Sequence, residues 1–289
     1  MAILIDGKAI AQQIQAEVLT DVERLRRERG VVPGLTVVLA GDDPASRTYV
    51  TNKARTSSKL GMNSVVEAFS ADTSESRVIS LIEKLNADPA VHGILVQLPL
   101  PPHLNASRIL QLVDPHKDVD GLHPFNIGLL CAGTPRFIPC TPFGICELLA
   151  RSGVSVAGRE VVVVGRSNLV GRPLSVLLSS KGKFGDATVT VCHSRSAKLD
   201  EICRRAEILV VAIGKPRYVT GNMIRPGAVV IDVGTHPGAG PDGKMCGDVE
   251  FESVFPVASM LSPVPGGVGP MTIAMLMRNT VNAAIAQVS

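Results

Sequence analysis

The stretch Val161-Val162-Val163-Val164-Gly165-Arg166-Ser167-Asn168-Leu169-Val170-Gly171-Arg172-Pro173 constrains the fold of this chain more than any other. Four consecutive valines read as a strand buried on both faces, as in a parallel sheet covered by helices. Gly165 ends the run where the backbone must turn sharply, and Pro173 onward reads as a helix with proline in its first turn. A strand, a glycine turn and a helix start present free backbone N–H groups to a phosphate. The spacing departs from Gly-x-Gly-x-x-Gly, because Ser167 replaces the second glycine and Gly171 falls one residue late. By itself the pattern fits both a dinucleotide site and a merely structural βα turn.

The same alternation extends through the chain. Ile3–Ile5 reads as a short strand, and Leu35–Ala40, Ser64–Phe69 and His92–Gln97 read as strands. Helices are expected from Gly7 to about Arg29, from Ser46 as a cap to about Leu60, and from Ser74 to Leu85. Between Asp114 and Thr141, Pro115, Pro124, Gly128, Gly133, Pro135 and Pro139 break the periodicity, so an irregular, functional or linking segment is expected there. A helix at Gly144–Ala150 leads into a second βαβ set. Its strands are 160–164, 187–192, 207–213 and 228–233, its helices 173–180 and 198–205, and a closing helix runs from Met271 to Gln287. The fold class is α/β: two α/β domains, the second Rossmann-like with a parallel sheet. A length of 289 residues suits two domains, expected at 1–140 (with 271–289 packing back on it) and 141–270.

A net charge of +3 is too small to argue for nucleic acid, so no nucleic-acid partner is expected, and Arg24–Arg29 reads as a solvated helix face. The six cysteines show no C-x-x-C pair and no metal spacing, which suits buried reduced thiols in the cytoplasm. No metal site is expected. The apolar N-terminal run breaks after five residues and is no signal peptide. No apolar run approaches the roughly 18 residues that span a membrane.

In open α/β sheets ligands gather beyond the carboxyl ends of the strands, and several polar groups fall there. Tyr49 and Lys53 stand at i and i+4 on the helix after the second strand, either a functional pair or an ordinary surface one. Gln97 is a ligand group or a turn-capping amide. Lys117-Asp118-Val119-Asp120-Gly121 offers two carboxylates or a solvated turn. After strand 187–192 an NAD-preferring fold carries an acid for the ribose hydroxyls, but this chain has His193-Ser194-Arg195-Ser196. With Arg166, these side chains could hold a 2′-phosphate, which favours NADP over NAD, or form a solvated turn. Pro263-Val264-Pro265-Gly266-Gly267-Val268-Gly269-Pro270 forms a rigid loop that brings backbone close to a flat ligand.

Six blocks occur in order: Ser46-x-x-Tyr49-x-x-x-Lys53, Gly93-Ile94-Leu95-Val96-Gln97-Leu98-Pro99-Leu100-Pro101, Lys117 to Gly121, Pro139-Cys140-Thr141-Pro142, Gly165-Arg166-Ser167-x-x-Val170-Gly171-x-Pro173, and Pro263 to Thr272. Together they make the chain resemble, along its full length, the bifunctional methylenetetrahydrofolate dehydrogenase/methenyltetrahydrofolate cyclohydrolases. The resemblance implies an enzyme of one-carbon folate interconversion. It would oxidise 5,10-methylenetetrahydrofolate with NADP+, then hydrolyse the methenyl product to 10-formyltetrahydrofolate.

By matching positions, Lys53 is the catalytic lysine, Tyr49 packs on the folate, Gln97 orients Lys53 and Asp120 hydrogen-bonds the pterin. Pro99, Pro265, Gly266 and Gly269 would also contact the substrate. Gly165, Arg166, Ser167, Ser194, Arg195 and Thr235 would contact the cofactor. Family members have two domains facing across a cleft and are cytoplasmic homodimers in bacteria. One departure stands out: Gly234-Thr235-His236 replaces the commoner Gly-Ile-Asn, so an apolar cofactor contact becomes a hydroxyl.

Overall fold

The computed structural model describes residues 1–288, without the Asp242 side chain. Ser289, which the sequence assigned to the last segment, lies outside the described residues. In chain order the elements are β1 (Ile3–Leu4), α1 (Gly7–Arg29), β2 (Gly34–Ala40), α2 (Pro44–Lys59), β3 (Asn63–Phe69), α3 (Glu75–Ala87) and β4 (Gly93–Val96). Next come α4 (Ala106–Leu112), α5 (Pro124–Cys131), α6 (Cys140–Arg151), β5 (Glu160–Val164), α7 (Gly171–Ser179), β6 (Thr188–Cys192) and α8 (Leu199–Cys203). β7 (Ile208–Val211), β8 (Val229–Asp232), α9 (Phe251–Val254), β9 (Met260–Leu261) and α10 (Val268–Gln287) complete the chain. It divides into two compact units, one of Gln12–Cys140 with the segment from Ile273 onward, the other of Met1–Ala11 with Thr141–Thr272.

The first unit holds a three-stranded parallel sheet in the order β3-β2-β4. Every residue of the central strand β2 is buried, which explains its unbroken apolar text. Val38, Ile82, Ile94 and Ile109 meet in one core. β4 ends at Val96, but the Gln97 N–H still donates to Val38 O at 2.9 Å, so Gln97 leaves the sheet at its carboxyl edge. Later residues of α10 belong to this unit. The Asn279 side-chain amide donates to Val119 O (2.9 Å) and Ile138 O (3.0 Å), and Arg278 pairs with Glu17 and Asp21.

The second unit holds a six-stranded parallel sheet in the order β1-β9-β8-β7-β5-β6. Val161, Val162, Val163 and Val164 are fully buried. Burying a valine side chain stabilises the fold by roughly 1.5–3 kcal/mol, so this strand anchors the sheet. After β5 the chain adds β6 on one side and β7 on the other. Strand order therefore reverses at β5, and the ends of β5 and β7 flank the switch point where this architecture binds ligands.

Several expectations change. Residues 1–11 group with the second unit and not the first, because Ile3 and Leu4 pair with Met260 and Leu261. The cap of α2 is Asp43, with Pro44 in the first turn, and its carboxylate accepts from the N–H (2.8 Å) and hydroxyl (2.7 Å) of Ser46. The segment read as irregular contains α5, and α6 begins at Cys140, four residues early. Cys131 is exposed, unlike the other five cysteines, and all six are free.

Candidate active site

Helix α2 sets Tyr49 and Lys53 one turn apart. Tyr49 is half-buried; Lys53 is buried, at 7% exposure. A lysine is almost never buried without a partner. Its Nζ donates to Gln97 Oε1 at 2.8 Å, and the amide's Nε2 donates to Leu98 O at 2.7 Å. The second bond orients the amide with its oxygen toward the amine. Pro99, the next residue, is exposed and follows a cis peptide bond.

The two carboxylates after Lys117 have separate fates. Asp118 is buried and accepts from the N–H groups of Leu122 (3.2 Å) and His123 (2.8 Å) and from the Asn126 amide (2.8 Å). It builds the turn. Lys117 is structural too, its ammonium donating to Leu85 O (3.0 Å) and Asp88 O (2.7 Å). Asp120 instead interacts with Lys53 and with the thiol of Cys140. Gly121 adopts φ 72° beside Pro139, where a Cβ would lie 2.8 Å from the proline nitrogen. That close approach brings 120 and 140 together.

Burial pushes the Lys53 ammonium below the ordinary lysine range, while the charge of Asp120 works against that shift. Burial likewise pushes Asp120 up, opposed by Lys53 and Cys140. The Cys140 thiol, fully enclosed and donating to Val119 O at 3.3 Å, is pushed well above its usual value by burial, then by Asp120. Desolvation thus drives the lysine and the carboxyl toward their neutral forms. A neutral amine held by an amide oxygen can accept a proton, which an exposed ammonium at neutral pH cannot.

In the other unit, the chain after β5 makes the glycine turn. Gly165 has φ 142°, and a Cβ there would lie 2.2 Å from Ala212 O, just beyond β7. A Cβ on Gly171 would meet Gly165 O at 2.0 Å. Both glycines are needed for the start of α7 to close over the strand ends, which leaves a backbone cradle of the kind a pyrophosphate approaches. Ser167 Oγ accepts from Val170 N–H at 3.1 Å and so shapes the turn.

Arg166, Ser194, Arg195 and Thr235 are all exposed near the carboxyl ends of β5, β6 and β8. No acid follows β6, and Arg166 and Arg195 form no ion pair among the described residues. This donor set fits a cofactor carrying an extra phosphate. Pro265 is exposed and Gly266 and Gly269 are half-buried. Gly266 adopts φ 110°, and the buried Gly267 passes so close to Gly7 that a Cβ on Gly7 would lie 1.9 Å from its oxygen. No group of three or more metal-ligating side chains occurs among the described residues.

Two family models match successive parts of the chain. One described as tetrahydrofolate dehydrogenase/cyclohydrolase, catalytic domain, matches residues 5–120. One described as tetrahydrofolate dehydrogenase/cyclohydrolase, NAD(P)-binding domain, matches residues 139–288. The chain belongs to the tetrahydrofolate dehydrogenase/cyclohydrolase family. Among its relatives, the bifunctional protein FolD of Syntrophobacter fumaroxidans is 54% identical, over 97% of this chain and 96% of its own length. The crystal structure of the bifunctional methylenetetrahydrofolate dehydrogenase/cyclohydrolase FolD from Campylobacter jejuni superposes with a TM-score of 0.93 at 41% identity, covering 99% of each chain. The Trypanosoma brucei dehydrogenase-cyclohydrolase, solved with NADP cofactor and an inhibitor, gives 0.93 at 39% identity, covering 99% of this chain and 98% of that one.

Within this family member, Lys53, Gln97 and Asp120 come together in one unit, where Tyr49 stands one turn before Lys53. Gly165, Arg166, Ser167, Ser194, Arg195, Thr235, Pro265, Gly266 and Gly269 lie in the other. The residue that the sequence reasoning did not assign is Cys140. Its block, Pro139 to Pro142, was visible, but its contact with Asp120 depends on the turn at Gly121. Among the described residues no helix is long and apolar enough to cross a membrane.

Proposed function

We infer that Lys53, Gln97 and Asp120 form the chemical centre of a bifunctional enzyme of one-carbon folate interconversion. It oxidises 5,10-methylenetetrahydrofolate to the methenyl form with NADP+, then hydrolyses that product to 10-formyltetrahydrofolate. The observation that carries the assignment is the buried Lys53 amine, held at 2.8 Å by the oriented amide of Gln97.

The methenyl substrate is a cation, so it repels an ammonium and favours the neutral amine that burial already favours. Neutral Lys53 takes a proton from the attacking water as its oxygen bonds to the methenyl carbon. The ammonium then returns that proton to the ring nitrogen as its bond to the carbon breaks, and the remaining hydroxyl proton leaves to solvent as the formyl carbonyl forms. Gln97 holds the amine in line. Asp120 accepts from the N–H edge of the pterin, Tyr49 packs against the folate, and Pro99, Pro265, Gly266 and Gly269 contact the substrate. NADP+, when bound, supplies the hydride acceptor. Gly165, Ser167 and Thr235 hold it, and Arg166, Ser194 and Arg195 hold its 2′-phosphate. Hydride transfer requires close, fixed reactants and no proton shuttle.

The proton chemistry thus rests on residues of the first unit and cofactor binding on residues of the second. We place the enzyme in the cytoplasm, which the six free thiols fit, with no nucleic-acid or membrane partner. We also propose that it is a homodimer. Val65 and Val66 are exposed on β3, an edge strand whose outer side is unpaired among the described residues. Light scattering on the purified protein checks this, and a monomeric mass would refute it.

The enzymatic reading is tested on one purified sample. Given methylenetetrahydrofolate and NADP+, it should yield NADPH and 10-formyltetrahydrofolate, and given methenyltetrahydrofolate alone it should yield the formyl product. Loss of either activity from folded protein would contradict the assignment.

A further inference from the structure

The turns after β7 and β8 are tied together by two buried carboxylates that the mechanism above does not use. Asp248 is fully buried, and its Oδ2 accepts from the N–H groups of Ile213 (2.7 Å) and Gly214 (2.9 Å), just beyond β7. Its Oδ1 meets His236 Nε2 at 2.7 Å. Asp232, the last residue of β8, is also buried. Its Oδ1 accepts from the N–H groups of Gly234 (3.0 Å) and Asp248 (2.9 Å), and its Oδ2 from Val249 N–H (3.0 Å).

Two glycines make room for this network. A Cβ on Gly234 would lie 2.5 Å from Asp248 Oδ1, and one on Gly247 would lie 1.8 Å from Asp232 Oδ2. Burial pushes the Asp232 carboxyl up to about 7 despite its three N–H donors. Thr235 is exposed between two tethered neighbours: the Gly234 backbone is held by Asp232, the His236 ring by Asp248. In this architecture a dinucleotide lies over the carboxyl ends of the strands, where both turns stand. His236 brings its own side chain from the Thr235 turn to the Asp248 carboxylate, whose other oxygen holds the turn after β7, so its ring couples the two turns.

We propose that His236 is a positioning residue for the cofactor: its bond to Asp248 locks the Thr235 turn against the Ile213–Gly214 turn so that both face the dinucleotide. This rests on the cofactor placement proposed above. Position 236 is one of the two at which this chain departs from the commoner Gly-Ile-Asn text, so the device belongs to this sequence.

The test uses the full-length enzyme and both activities. His236→Ala should raise the KM for NADP+ about tenfold with little change in kcat, because a hydrogen bond to a charged group is lost on the binding side. Cyclohydrolase activity on methenyltetrahydrofolate should stay at the parent level, since hydrolysis consumes no cofactor. His236→Gln, whose terminal amide can donate to the same oxygen, should restore the NADP+ KM. If the alanine variant does not fold, His236→Met fills the ring's volume without a donor and serves in its place.

An unchanged NADP+ KM in the donor-free variant would overturn the proposal. So would a parallel fall of both activities, which marks a residue that only maintains the fold, or a folded glutamine variant that fails to restore KM. Arg166→Ala separates this inference from the reading beneath it. If Arg166→Ala raises the KM and the His236 variant does not, the inference alone fails; if neither does, the cofactor placement fails with it.

Discussion

Gln97→Leu tests how much of the hydrolysis depends on holding the Lys53 amine. In the parent, Gln97 accepts from Nζ at 2.8 Å, and its own amide is fixed by Leu98 O at 2.7 Å. Leucine is close in volume but carries no acceptor, so the buried amine loses its oriented partner. Leaving a buried donor unsatisfied costs about 1–3 kcal/mol, or between roughly 5- and 150-fold in rate if the cost falls on the transition state. The assay is the decay of methenyltetrahydrofolate without cofactor, measured against the uncatalysed rate. Dehydrogenase activity should fall less, because hydride transfer moves no proton through Lys53.

Gln97→Glu separates geometry from charge. A carboxylate at the same distance can still accept from the amine but favours its ammonium form, so the base is lost although the bond is kept. Hydrolysis at neutral pH should then fall further than in the leucine variant. A Gln97→Leu enzyme that hydrolyses within about twofold of the parent would refute the argument that the amide orients the base.

Hydrolysis by the parent should rise with pH as Lys53 loses its proton, at lower pH than an ordinary lysine because burial lowers its pKa. Asp120 works against that lowering, so Asp120→Asn should move the rise to still lower pH and raise the KM for folate; a move to higher pH in the rate profile would be contrary evidence. Arg166→Ala should raise the KM for NADP+ by about tenfold or less, since the exposed guanidinium is screened by water, and leave use of NAD+ unchanged in steady-state assays. Gly165→Ala places a Cβ 2.2 Å from Ala212 O at a φ of 142°, so its unfolding free energy in a denaturant titration should fall by about 1–3 kcal/mol or more.

What could be read from the sequence follows from how local each signal is. Val161–Val164 announce a doubly covered strand because all four side chains are buried, and the glycine turn follows in the same local text. β9 has two residues and exists only through pairing with β1 and β8, so it has no periodicity to find. α5 was hidden by its own start signal. Pro124 counted as a breaker, yet it occupies the first turn of the helix, where its missing N–H costs nothing, and the His123 ring accepts from Phe125 N–H at 3.0 Å.

In the site, the i, i+4 spacing of Tyr49 and Lys53 was visible, but nothing local says that Lys53 is buried or that Gln97 faces it across 44 residues. Spacing alone also cannot separate Asp118 from Asp120. The turn aims one carboxylate at its own backbone and leaves the other to act on Lys53. The family blocks supplied the assignments that periodicity could not.

The most direct test of the account is methenyltetrahydrofolate hydrolysis by Lys53→Met, which keeps most of the stem and removes the amine. Mixed with methylenetetrahydrofolate and NADP+, the variant should retain part of the dehydrogenase activity and accumulate the methenyl compound, which decays no faster than it does uncatalysed. A Lys53→Met enzyme that produces 10-formyltetrahydrofolate at the parent rate would contradict the assignment of Lys53 as the base.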